Sequence, residues 1–150
     1  MKDMLPDAVD IVATHPIFGP QSGKNGIVGL PISLMNIRGD RLSDVQYFCE
    51  QTLQLKTILT TSEKHDQEMA YIQGLTHAIA RILKNMSIPQ LNQTTQTYDY
   101  LIKMVDMIKN DSEELFHAIQ NDNPYVHDVT NQFFQETKKL EMNISDKDRP

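Results

Sequence analysis

Thr14-His15-Pro16 puts an imidazole where acid–base chemistry could use it. The run before it, Val9-Asp10-Ile11-Val12-Ala13, reads as a strand, and a glycine- and proline-rich loop follows. Imidazole changes protonation near neutral pH. Pro16 fixes its own backbone and biases Thr14-His15 toward extended geometry. The ring is then held rather than mobile, as proton transfer requires. The expected place is the carboxyl end of a strand, the edge where open α/β sheets bind ligands. A second constellation follows downstream. On an ideal helix Asp66, Gln73, His77 and Lys84 fall within about 20° of one line, opposite an apolar stripe. Such a line is ordinarily a solvated face. Its small neighbours Ala70 and Gly74 permit another group to approach closely, and a His-Asp line of this kind can also wall a polar pocket.

The elements that must position these residues change character near Ser62. Upstream, Asp10–Thr14 reads as a strand and Pro16–Gly29 as a long loop with four glycines and two prolines. Leu30–Ile37 is a second apolar run, with Pro31 at its start where a strand tolerates one. Gly39-Asp40 breaks it. Leu42–Leu53 has helical spacing, with Val45, Phe48, Cys49 and Leu53 on one face. Lys56–Thr61 is β-branched-rich and reads as a third strand. Strand, helix and strand in that order predict a parallel unit.

Downstream the pattern is helical. Ser62 is placed to cap a helix whose first turns carry Glu63 and Asp66. Its stripe is Met69, Ile72, Leu75, Ile79, Ile82, Leu83 and Met86, and Pro89 ends it. Thr97–Lys109 is a second helix, with Leu101, Met104, Val105 and Ile108 on one side. Asp111 and Glu114 have capping-box spacing before Leu115, Phe116 and Ile119. Asn123-Pro124 predicts a cap followed by proline at the first helical position. The last helix uses Val126, Val129, Phe133 and Leu140, and Asn143–Pro150 is expected to fray.

Composition narrows the function classes. The 150 residues are 39% hydrophobic and 23% charged, ordinary for a globular protein. A net charge of -6 argues against nucleic-acid or anionic-membrane partners, which select clustered Lys and Arg. The apolar run Ile27–Met35 is too short to span a bilayer. Lys2, Asp3 and Asp7 stand where a signal peptide would be apolar. The single cysteine excludes an internal disulfide and a cysteine-based zinc site. Cys49, on an apolar helix face, reads as an inert buried thiol. His65, His117 and His127 fall at polar helical positions, without the partners of a metal site.

His15-Pro16-Ile17-Phe18-Gly19-Pro20-Gln21-Ser22-Gly23 resembles a signature of the prephenate/arogenate dehydrogenase family, in its plant-like arogenate branch. Glu63-Lys64-His65-Asp66, Ala70 and then Thr76-His77 resemble the family's second signature. Two signatures in the right order are more specific than either alone. The resemblance implies an α+β chain: the last strands of a Rossmann-like nucleotide-binding domain over residues 1–62, then an all-helical dimerisation and substrate domain over 63–150. It implies oxidative decarboxylation of prephenate or arogenate with NAD or NADP, in tyrosine biosynthesis. His15 would be the catalytic histidine, accepting the proton of the substrate's C4 hydroxyl as hydride leaves that carbon. His77, Asp66, Gln73, Ser22 and Lys24 would bind substrate, with His15 and His77 facing one cleft. A homodimer through the helical domain is expected, in the cytoplasm or a plastid.

Two departures shape the expectation. Many members carry a carboxylate-binding arginine where alignment on Asn110-Asp111-Ser112 puts Asp106, so the anion partner is open, with Lys24 and Arg81 the nearest cations. The sequence also holds no G-x-G-x-x-G; Gly23, Gly26 and Gly29 follow no strand–turn–helix pattern. The chain is therefore expected to be the C-terminal portion of such an enzyme, inactive and without tight cofactor binding when isolated. The alternative reading is a non-catalytic helical dimerisation or regulatory module.

Overall fold

The computed structural model describes residues 4–89 and 91–147. Lys2, Asp3 and the tail Asp148–Pro150 lie outside the described residues. The chain divides into two compact units, Met1–His65 and Asp66–Pro150.

The first unit is built on a three-stranded sheet in the order β1-β2-β3. These strands are β1 (Ile11–Pro16), β2 (Pro31–Arg38) and β3 (Lys56–Leu59). β1 runs antiparallel to β2, whereas β2 and β3 are parallel, as the strand–helix–strand pattern predicts. The loop after β1 contains a four-residue helix, α1 (Pro20–Gly23). Helix α2 (Leu42–Tyr47) continues into a π-helical turn over Phe48–Thr52. Ile32 and Leu34 of β2 point to one side of the sheet and form a core with Cys49 and Leu55. Phe18, Ile27, Leu30, Leu42, Val45 and Leu53 pack around it. Leu34 is fully excluded from solvent. Phe48, expected on one face with Val45, Cys49 and Leu53, is exposed at the start of the π turn.

Helix α3 (Ser62–Met69) begins just after β3. Its cap is Thr61 rather than Ser62: Thr61 Oγ1 accepts from Lys64 N at 3.2 Å. A π-helical turn over Ala70–Leu75 then leads into α4 (Thr76–Asn85). The remaining helices are α5 (Gln96–Ile108), α6 (Glu113–Asn121) and α7 (Val126–Lys147). Thr95 caps α5 through Tyr98 N, and Ser112 caps α6 by accepting from Leu115 N at 3.1 Å. The α6 cap thus falls one residue after the expected Asp111, which is released for another contact. Asn123 Oδ1 accepts from Tyr125 N at 2.9 Å, turning the chain into α7. That helix continues through Asn143–Lys147, residues expected to fray.

The second unit's core lies where small residues let helices approach. Ala70 packs with Val126 and Val129 of α7, flanked by Leu75 and Tyr125. Gly74 sits against Val126 so closely that a Cβ would stand 2.7 Å from Val126 Cγ2. Part of the stripe expected after Ser62 is not buried within the chain: Ile72, Ile82 and Met86 are exposed. The π turn explains part of this. It adds about one residue to a turn, rotating everything after it by nearly a third of a revolution. No helix among the described residues is long and apolar enough to cross a membrane.

Candidate functional site

In the first unit, His15 is the penultimate residue of β1, opposite Ser33 of β2, which pairs in turn with Ile58 of β3. Because β1 is antiparallel to β2, its carboxyl end lies beside the start of β2. The edge rule for parallel sheets therefore does not place this histidine. What places it is α3, which starts two strands away and brings its first turn back to β1. His15 Nδ1 and His65 Nε2 are 2.7 Å apart, and the rings meet edge to face with centroids 5.0 Å apart. His15 is half-buried. Burial lowers its pKa, and the neighbouring His65 lowers it further. The neutral imidazole, the form able to accept a proton, is thus favoured. Sequence reasoning passed over His65 as a polar residue in a helix's first turn; its spacing carries no sign of a partner fifty residues away. Ser22 and Lys24, on and just after α1, are exposed.

In the second unit, His77 of α4 is half-buried, and its partner is Asp111 rather than Asp66. His77 Nδ1 lies 3.5 Å from Asp111 Oδ2 but makes no hydrogen bond, a buried polar atom left unsatisfied. Burial is the main influence on the ring and lowers its pKa; Asp111 raises it and Arg81 lowers it. One turn along α4, Arg81 is held on two sides. Its Nη1 donates to both oxygens of Glu113 at 2.6 and 2.8 Å, and its guanidinium lies 4.2 Å from the centre of the Phe116 ring. The candidate line breaks up at the π turn, which rotates Asp66 off the line of His77 and Lys84. The Asp66 carbonyl accepts from Asn123 Nδ2, and the Gly74 carbonyl accepts from Gln120 Nε2. Gln73 is half-buried within that turn. The close approach that Ala70 and Gly74 permit is filled by Val126. Lys84 donates to the Lys109 carbonyl, and Asp106 pairs with Lys109 at 3.0 Å.

Among the described residues, the glycine-rich loop does not fit a dinucleotide's pyrophosphate. Gly23 N and Gly26 N bond back to the Gly19 and Gly23 carbonyls, and Gly29 N to the Gln54 carbonyl. These glycines bend a loop around a four-residue helix and do not present amides at the start of a crossover helix. No group of three or more potential metal ligands occurs among the described residues.

Residues 61–150 match the family model described as the prephenate dehydrogenase dimerization domain. The chain belongs to the prephenate dehydrogenase family. Among its relatives is arogenate dehydrogenase 2, chloroplastic, of Arabidopsis thaliana, 34% identical over 126 residues. That match covers 80% of this chain and 35% of the relative. A probable arogenate/prephenate dehydrogenase of Methanocaldococcus jannaschii is 27% identical over 158 residues, 99% of this chain and 35% of that protein. The chain thus spans about a third of the length of these relatives. The crystal structure of Synechocystis arogenate dehydrogenase has the same fold, with a TM-score of 0.64 at 18% identity. It covers 91% of this chain, which spans 54% of that one. The small sheet followed by helices is therefore the family's α+β architecture over this region.

Proposed function

We propose that this chain is the portion of a prephenate/arogenate dehydrogenase that supplies the proton acceptor and the dimerisation helices. The observation that carries the proposal is His15, half-buried at the end of β1 and fixed through Nδ1 by His65, in a chain of this family. In this reading His15 accepts the proton of the substrate's C4 hydroxyl as hydride leaves that carbon. Loss of carbon dioxide then aromatises the ring. NAD or NADP is the cofactor of the family reaction, and since the glycines here do not cradle a dinucleotide, another part of the enzyme holds it. The family resemblance alone assigns substrate contacts to His77, Asp66, Gln73, Ser22 and Lys24. Arg81 is not assigned to a substrate carboxylate, because Glu113 already neutralises its charge through Nη1.

Co-expression with the nucleotide-binding part of a relative tests the reading. The pair should oxidise prephenate or arogenate, and H15Q should lower kcat by roughly 10²- to 10⁴-fold, the usual worth of a positioned base. An H15Q enzyme with unchanged kcat would sink it. The isolated chain should show no turnover with either nucleotide.

A second reading, an interaction module, is favoured by one observation. Tyr71, Ile72, Tyr100, Met107, Phe134 and Leu140 of the helical unit are all exposed. A dimerization domain must present apolar side chains of this kind to its partner. We assign it to a homodimer, as expected of a dimerization domain. Light scattering should give twice the chain mass, and a monomer at high concentration would remove the assignment.

A further inference from the structure

We infer that His65 is a positioning residue for His15: it accepts a hydrogen bond from His15 Nδ1–H and so keeps His15 in the tautomer whose Nε2 is bare. The inference rests on the reading of His15 as the base. At 2.7 Å between two ring nitrogens, one must carry the hydrogen and the other must accept it. Two arrangements satisfy the contact. If His65 Nε2–H donates, His15 Nδ1 is the acceptor and the neutral ring carries its proton on Nε2. That nitrogen then cannot accept another proton. If His15 Nδ1–H donates, His65 carries its own proton on Nδ1 and His15 Nε2 presents a lone pair. Only the second arrangement makes His15 a base, and the contact leaves Nε2 as the nitrogen for a substrate.

The surrounding structure holds both rings. His15 lies in a strand paired through Ser33 and closed by Pro16. The first turn of α3 is fixed by Thr61, whose side chain caps Lys64 N and whose carbonyl accepts from His65 N at 2.9 Å. The relationship has the logic of a hydrogen-bonded partner that sets the tautomer of a catalytic histidine. Here the partner is a second imidazole rather than a carboxylate, so the resting pair carries no negative charge of its own.

The test is the ¹⁵N spectrum of the imidazole rings in the labelled chain at pH 8, without substrate, with His15 assigned from H15Q. Free imidazole prefers its proton on Nε2, so a His15 ring protonated on Nδ1 in the unmodified chain is the expected and diagnostic result. H65Q, whose amide oxygen reaches the same place, should keep that tautomer; H65L should return the proton to Nε2. An Nε2-protonated His15 in the unmodified chain, or a tautomer indifferent to H65L, overturns the inference. The unmodified spectrum decides even if H65L fails to fold. In the co-expressed enzyme H65L should lower kcat by roughly 10²-fold or more with KM little changed, and H65Q should restore most of it. Failure of the underlying reading looks different. If His15 is protonated on Nδ1 and H15Q leaves kcat unchanged, the pairing stands and the base assignment falls.

Discussion

Replacing Gly74 with alanine should destabilise the helical unit, although alanine is the better helix former. The added Cβ would stand 2.7 Å from Val126 Cγ2 and 2.8 Å from Cγ1. Both methyls belong to a β-branched side chain with few rotamers, and Val126 is 1% exposed. Neither side can yield by turning a flexible end away. Helix propensity favours alanine by about 0.8–1.0 kcal/mol, and overpacking of this kind costs about 1–3 kcal/mol. The net expectation for G74A is a loss of about 1 kcal/mol. V126A removes two buried methyls and leaves a cavity, for a loss of about 2–3 kcal/mol. In the double variant the clash is gone and the new methyl fills part of the cavity. Its loss should therefore fall below the sum of the single losses by about 1–2 kcal/mol. Urea unfolding of the whole chain, followed at 222 nm, measures all three. Single effects that add to within about 0.5 kcal/mol would show that Gly74 and Val126 do not share the contact, and a stabilised G74A would refute the packing argument outright.

Arg81 should matter by geometry as well as charge. R81K cannot reproduce both the two-oxygen bond to Glu113 and the stacking on Phe116, so it should lose about 1 kcal/mol in urea, nearly as much as R81A. S112A removes the cap of α6 and should cost about 1 kcal/mol. Burial raises the pKa of the Cys49 thiol, so a thiol reagent should modify it slowly in the folded chain and fast in urea. A rapid reaction under native conditions would contradict the core around Ile32 and Leu34. Acid should weaken the fold through its histidines. His15 and His77 have folded-state pKa values below the ordinary 6.5. As pH falls through 6.5 the unfolded chain takes up protons first, and stability declines until the folded values are passed. The urea midpoint should drop between pH 7.5 and 5.5, and the H15Q/H77Q double variant should flatten that drop.

Local chemistry was legible along the chain. Short apolar runs, Gly39-Asp40 and the β-branched run at Lys56 marked the strands, and β2 and β3 are parallel as strand, helix and strand require. Thr-, Ser- and Asn-based helix starts were recognisable to within a residue or two, because a cap depends on side chains three positions apart. The His15-Pro16 and His65-Asp66 signatures pointed to the family before any fold was known. Three things were decided only in three dimensions. The π turn at Ala70–Leu75 shifts the helical phase, so the line through Asp66 and His77 could not be drawn from an ideal repeat. Ala70 and Gly74, read as room for a ligand, are room for Val126, because a small residue records close approach and not the identity of what approaches. His15 and His77 each acquired a partner, His65 and Asp111, that no spacing rule selects. Sequence periodicity reports on neighbours within a few turns; a hydrogen bond between a strand end and a helix start depends on where the sheet places both.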